Sequence, residues 1–325
     1  MTGPLTPRLA RNRHLVLGRA GMDLYADPPG TEIPHATAFV AHLGGSAANI
    51  AVALARHGAK AALLTRLSDD AVGRFCLTQL DHYGIDCSQV RMTGADARTS
   101  LAVVETRLEN CQSVIYRNNA ADFALTPEDV AQTDFTRYDT LIITGTALAQ
   151  DPSRSATMAA LTKARTAGLV TIMDIDFRPY SWPSPAEARK VNLTAARLCD
   201  IVVGNDVEFG LLAGTEAEGL TTARQLIAEG AAIAVYKRGE LGAVTLTPTE
   251  EFPTGIYRTK ALKPTGAGDA FMGGFLTALA QGRTPREATL RGAANAAMVV
   301  ARVGCAPAMP TTEDLDHFIA THPDP

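Results

Sequence analysis

From residue 140 onward, short apolar runs alternate with longer stretches of helical character, and this alternation limits the fold before any motif is read. Strands are predicted at 140–144, 169–175, 201–203, 232–236 and 242–246, with helices at 153–167, 185–198, 206–212 and 221–228. Strands joined through helices run parallel and need cover on both faces. The expected class is therefore α/β, with a mostly parallel sheet. Further on, 284–303 reads as one or two Ala-rich helices stopped by Gly304, and 312–319 as a short terminal helix.

The first 140 residues are less regular. Residues 14–18 make a short strand ending in Gly18, and Asp23 follows closely. An acid just beyond the C-terminal end of a strand can meet a ligand, although Asp23 equally suits a turn cap. The stretch 27–34 is a loop rich in Pro, Gly and Asp, and 36–43 alternates weakly. Runs at 99–104 and 112–116 form a hairpin around the polar turn 107–110; with 36–43 it builds a small sheet apart from the main one, a lid. Gly44 and Gly45 feed a small-residue helix that stops at Gly58. Paired glycines let a ligand approach the backbone, and Asn49 offers both a donor and an acceptor. Tight helix–sheet packing would ask for the same small residues.

Composition excludes several classes of function. The net charge is −4 and the basic residues are scattered, so neither nucleic acid nor a membrane surface is an expected partner. The five cysteines are odd in number and lack metal-site or redox-pair spacing, which suits reduced thiols in a cytoplasmic protein. Residues 1–13 are polar, without the apolar centre of a signal peptide, and no apolar run reaches membrane-spanning length. At 325 residues, 46% of them hydrophobic, the chain can bury one large core.

The densest motif is Lys263-Pro264-Thr265-Gly266-Ala267-Gly268-Asp269, running into an apolar segment from Phe271 to Ala280. If a helix starts near Gly266, its first N–H groups point outward, unscreened, at a site for anionic oxygens. Asp269 stands at the mouth of that site, where a carboxylate can take a proton from an attacking hydroxyl. A flexible turn with an acidic N-cap is the plainer account. The Gly-Lys-Ser/Thr ending of a P-loop is absent, and the turn comes too late in the chain for a dinucleotide fold.

Three further clusters carry polar chemistry. Asp174, Asp176 and Arg178 end a strand together, so Arg178 could fork onto a carboxylate or phosphate, or merely pair with Asp174. Asn205 and Glu208, three apart on a first helical turn, suit either magnesium held through water or an N-terminal capping box. Lys237, Gly239 and Gly242 lie in a turn after a strand, where a nucleotide could sit; a solvated basic turn explains them almost as well. Asn295, in the small-residue stretch 295–303, would flank an adenine or simply pack between helices.

Pro264 to Phe275 resembles the C-terminal signature of ribokinase-like carbohydrate kinases, and the likeness extends from about residue 14 to residue 319. The resemblance implies a three-layer αβα sandwich, with a lid from about 27–43 and 98–117 that covers the sugar and contacts a second copy in a homodimer. It further implies ATP and Mg2+ as cofactors, with room for a monovalent cation. By residue, it makes Asp269 the catalytic base, with Gly266, Ala267 and Gly268 as the anion hole. Gly44, Gly45 and Asn49 fall on the sugar signature, Asn205 and Glu208 on the magnesium motif. Lys237, Gly239, Gly242, Thr265, Gly268 and Asn295 fall on the nucleotide side. Segments 18–25, 116–122 and 174–182 narrow the likeness to members acting on an acid sugar, with Arg117 and Arg178 for its carboxylate and keto oxygens. Asp23, Asp176 and Asn49 remain for the rest of that sugar. A 2-keto-3-deoxygluconate kinase, or a silent sugar-binding relative, are the alternatives. Ala47 and Thr265 depart from the signatures, where a proline and an aromatic are common.

Overall fold

The computed structural model describes residues 5–94, 96–322 and 325, so the start of the polar N-terminal stretch lies outside the described residues. Its strands are β1 (Arg13–Leu17), β2 (Gly21–Asp27), β3 (Ala38–Gly44), β4 (Lys60–Ser68), β5 (Val90–Thr93), β6 (Ser100–Val104) and β7 (Ser113–Tyr116). They continue as β8 (Thr140–Thr144), β9 (Val170–Asp174), β10 (Ile201–Asn205), β11 (Ile233–Lys237), β12 (Ala243–Leu246) and β13 (Glu251–Thr254).

The main sheet has the order β13-β12-β11-β10-β9-β8-β1-β4-β5. It is parallel from β11 through β5, with β12 and β13 added antiparallel at one edge. Side chains alternate across it, as strand geometry requires. Val16, Leu63, Ile142 and Val203 pack under the helices Ser46–Arg56, Ala71–His82, Ala267–Ala280 and Pro285–Val300. Their neighbours Leu15, Leu17, Leu141 and Val202 pack under Ser153–Thr166, Pro185–Ala196, Asp206–Ala213 and Gly219–Ala228. The result is the three-layer αβα sandwich.

The smaller sheet, β3-β2-β6-β7, contains the expected hairpin, with Leu101 opposite Tyr116. It also contains a strand the sequence did not announce. The stretch after β1 was read only for Asp23, as an acid beyond a strand end or a turn cap; it is β2, paired antiparallel with β3 and parallel with β6. Asp23 therefore sits within a strand of the smaller sheet, not at the end of a main-sheet strand. Only residues 18–20 separate β1 from β2, so the two sheets join almost directly. β13 was likewise missed, and Asp86 makes a single bridge to Ala62 before β5 begins at residue 90.

All five cysteines are free. No helix among the described residues is long and apolar enough to cross a membrane.

Candidate active site

In a parallel sheet every strand ends on the same edge, and ligands gather there. Arg19 follows β1, Thr146 follows β8, Asp174 closes β9, Asn205 closes β10 and Lys237 closes β11. All five line one cleft of about 1160 Å³, between this edge and the smaller sheet.

The helix Ala267–Ala280 points its N-terminus into the cleft. Gly266 caps it in the left-handed conformation (φ 84°), and the first capping-turn bond runs from Ala270 N–H to the Gly266 carbonyl, 3.0 Å. The N–H groups of Ala267, Gly268 and Asp269 precede that bond and so lack intrahelical acceptors. A Cβ built on Gly268 would lie 3.5 Å from Lys237 Nζ, so this ammonium faces the same turn. Lys263, just before the turn, has no exposed surface, and its Nζ donates to the Thr265 carbonyl at 2.6 Å. The enclosure pulls the Lys263 pKa below the usual lysine range.

Asp269 opens onto the cleft but is otherwise surrounded by protein. Its Oδ2 accepts from Asn49 Nδ2 at 2.8 Å. Desolvation, aided by the Asp176 charge, raises its pKa to about 6, against the pull of the Asn49 bond and Arg178. Asp23 is pushed up to about 6 as well, mainly by burial, with Arg19 and Lys263 opposing. Gly44 leaves the space that the Asp23 carboxylate fills. Buried polar atoms are normally paired, yet Asp23 Oδ1, Asn49 Oδ1 and Thr265 Oγ1 have no partner among the described residues. Three orphaned oxygens around one cleft fit a hydroxyl-rich ligand beside a phosphate.

Beyond β9 the chain turns through Asp176, which holds a left-handed φ of 36°. Asp176 accepts from Thr146 Oγ1 at 3.1 Å and pairs with Arg178 at 2.9 Å, so the expected Asp174–Arg178 alternative is replaced by this neighbour pair. Burial disfavours the Asp176 charge, but Arg178, Arg19 and the Ser46 and Thr146 hydroxyls together hold its pKa below the usual carboxylate range. Asp174 and Glu208 lie deeper, and burial pushes both upward against the charge of Lys237.

Asn205 and Glu208 form the capping box: Asn205 Oδ1 accepts from Glu208 N–H at 2.9 Å, and Glu208 Oε2 from Asn205 N–H at 2.7 Å. Glu208 Oε1 also accepts from Phe177 N–H at 3.3 Å. Both carboxylate oxygens thus have backbone partners, and no cluster of three ligating side chains exists among the described residues. Magnesium fits here only with most of its water retained, the mode this small cation favours.

Two expected contact residues are also bonded within the protein. Asn295 is fully buried, donating to the Ala270 carbonyl at 2.7 Å and bonded to His57 Nε2 at 3.1 Å. It ties three helices together and does not line the cleft, whereas Ala296, Ala297 and Val300 do. Arg117 does reach the cleft wall, but its Nη2 is bonded to Asp122 and to the Thr146 carbonyl (3.1 Å), and its guanidinium lies over the Phe123 ring. Nη2 is thus spent inside the protein, while Nε has no partner among the described residues. Conversely, Arg19 and Lys263 line the cleft without having been singled out. A lone Arg after a strand-ending glycine was their only sequence signal, together with a Lys–Pro step before a glycine turn.

An enclosed carboxylate, an open helix terminus and flanking cations together can orient a hydroxyl and hold transferring phosphate oxygens. A family model described as pfkB family carbohydrate kinase matches residues 11–312. The chain belongs to this family. Among curated relatives of this kinase, 5-dehydro-2-deoxygluconokinase from Photobacterium profundum is 38% identical over 94% of both chains. The protein of the same name from Geobacillus kaustophilus is 36% identical, covering 95% of this chain and 93% of that one. Among solved structures, fructokinase from Vibrio cholerae O395 in its fructose, ADP and calcium ion bound form superposes with a TM-score of 0.83. That match has 28% identity and covers 95% of this chain and 99% of the other. This protein is accordingly a sugar kinase with the ribokinase-like fold.

Proposed function

We propose that this kinase transfers a phosphoryl group from ATP to the terminal hydroxyl of 5-dehydro-2-deoxy-D-gluconate. The products are 6-phospho-5-dehydro-2-deoxy-D-gluconate and ADP, in myo-inositol catabolism in the cytoplasm. The observation that carries the chemistry is the Asp269 carboxylate, fixed by Asn49 beside the open first turn of its helix. The choice of acceptor is supported by the name that two full-length relatives share and by Arg19 and Arg178 on the sugar side.

ATP, when bound with Mg2+, supplies the phosphoryl group. The N–H groups of Ala267, Gly268 and Asp269 hold its anionic oxygens, and Lys237 faces the same turn. Thr265, Gly239 and Gly242 line the nucleotide side, with the alanines of Pro285–Val300 in place of Asn295. Asn205 and Glu208 would hold Mg2+ through its retained water. Asp269 accepts the proton of the attacking hydroxyl. Gly45 brings the backbone close to the sugar, while Asn49 and Asp23 bond its hydroxyls, and Asp176 keeps Arg178 in place. The smaller sheet, which carries Asp23, keeps water from competing as acceptor.

The test is ATP consumption with magnesium, offering 5-dehydro-2-deoxygluconate, 2-keto-3-deoxygluconate, fructose and ribose in parallel. The highest kcat/KM is expected for the first. Preference for 2-keto-3-deoxygluconate would move the substrate and leave the chemistry in place.

We also read the outer face of the smaller sheet as the contact with a second copy. Phe39, Val114 and Tyr116 are exposed there, Tyr116 by 60%, and such apolar clusters mark interaction surfaces. Sedimentation should show a dimer at micromolar concentration, and a monomer would remove this reading.

A further inference from the structure

We propose that Arg19 is the residue that takes the carboxylate of the acid sugar, and so sets the preference for an acid over a neutral sugar. The assignment rests on the substrate reading above. It comes from comparing the three arginines on the sugar side of the cleft by what each is already doing.

Arg117 is buried, ion-paired to Asp122 and bonded to a backbone carbonyl. Arg178 is ion-paired to Asp176. Arg19 differs from both. Among the described residues its side chain makes one hydrogen bond, from Nη1 to the Ser100 hydroxyl at 3.1 Å, and no described carboxylate pairs with it. A guanidinium has five donors in a planar fork, and here four of them have no acceptor among the described residues. A half-buried guanidinium with no carboxylate bonded to its fork leaves that fork open to a ligand carboxylate, which can take it with two parallel bonds.

The position is also held firmly. The Arg19 carbonyl accepts from Ala48 N–H at 3.3 Å, in the first turn of the helix that carries Asn49. Gly21 lacks the Cβ that would stand 3.1 Å from Arg19 Nη1, so the guanidinium can lie across the start of β2 towards Ser100 on β6. It therefore sits where the two sheets join, within electrostatic reach of Asp23 on β2 and of Asp269 at the start of its helix. Its charge acts on both of these acids, and on Asp176, holding each lower than it would otherwise be. An acid sugar with its carboxylate on Arg19 would keep its far hydroxyl for Asp269.

The test compares KM and kcat for 5-dehydro-2-deoxygluconate and for a neutral analogue in which the carboxylate is a hydroxymethyl group. Wild type, Arg19→Met, Arg19→Lys and Arg178→Met are assayed, with thermal melts to confirm folding. Loss of charge-assisted bonds predicts a KM for the acid about 10- to 100-fold higher in Arg19→Met. Its KM for the neutral analogue should rise far less than its KM for the acid, and Arg19→Lys should recover part of the loss. Should Arg19→Met fail to fold, Arg19→Lys carries the test, with a loss of roughly tenfold on the acid alone, since the charge stays and the fork goes. Equal KM changes for acid and neutral sugar would overturn the assignment, as would an acid-specific loss in Arg178→Met alone. A wild type that turns over the acid beside an unaffected Arg19→Met overturns the assignment only. A wild type that ignores the acid overturns the substrate reading, and the assignment with it.

Discussion

Replacing Asp269 by asparagine is expected to lower kcat by about 10²–10⁴, the usual cost of losing a positioned proton acceptor. The substitution is close to isosteric. The side-chain carbonyl can still accept from Asn49 Nδ2, which now bonds Asp269 Oδ2 at 2.8 Å, and the N–H groups of the helix terminus are backbone and unchanged. ATP binding and the unfolding midpoint should therefore stay near wild type while turnover collapses. Undiminished turnover by the variant would remove Asp269 from the chemistry. The same carboxyl predicts an acid limb in the pH profile. Its pKa is raised to about 6, chiefly by desolvation, so the ionised base is present above that pH and lost below it. In wild type kcat/KM should fall as pH drops through about 6, and a profile flat down to pH 5 would contradict the role.

The second large effect is expected at Gly45, where alanine should damage stability and acceptor binding together. Gly45 precedes the helix Ser46–Arg56 with φ 94°, a conformation that side-chain-bearing residues adopt at a cost of about 1–3 kcal/mol. A Cβ there would stand 2.5 Å from the Arg19 carbonyl oxygen and 2.8 Å from Ala20 Cα. Both are backbone atoms in a close-packed layer, and overpacking of that kind typically adds about 1–3 kcal/mol. Relief of the clash must push the β1–β2 link away from the helix, moving Arg19 and Asn49 apart. Denaturant midpoint and sugar KM should therefore worsen in the same variant while the ATP KM changes less. A Gly45→Ala protein with wild-type midpoint and wild-type sugar KM would show that the turn is not as tight as its geometry indicates.

What could be read from the sequence follows from how local each signal is. The parallel sheet was legible because strand and helix periods alternate within about 10 to 20 residues of one another. The turn at Gly266 was legible because a helix start and its acid lie next to each other in the chain. The capping box of Asn205 and Glu208 was legible for the same reason, although the letters could not say whether both carboxylate oxygens would be spent on backbone. β2 was hidden because its partners are β3 and β6, the latter some 80 residues away, and nothing within 21–27 distinguishes a strand from a ligand-bearing turn. β13 was obscured by Pro253, a residue that fits an edge strand but argues locally against any strand. Asn295 and Arg117 show the remaining difficulty. A polar letter in a small-residue helix, or an arginine five residues before an aspartate, is equally consistent with a ligand contact and with an internal bond. Burial decides between the two, and burial is a property of the assembled layers.

Lys263 gives the site an electrostatic component that dissolved salt screens much less than it screens the exposed cations. Mobile ions screen charges that share their solvent, and at 0.15 M salt that screening acts over about 8 Å. Lys237 and Arg238 are partly exposed and subject to it, so their attraction for a nucleotide fades as ionic strength rises. The Lys263 ammonium is sealed beneath the turn that ends in Gly266, with no exposed surface and a backbone carbonyl as its hydrogen-bond partner. Its field passes through protein, where little can attenuate it. The positive potential under the phosphate turn is therefore less sensitive to salt than that of the exposed cations beside it.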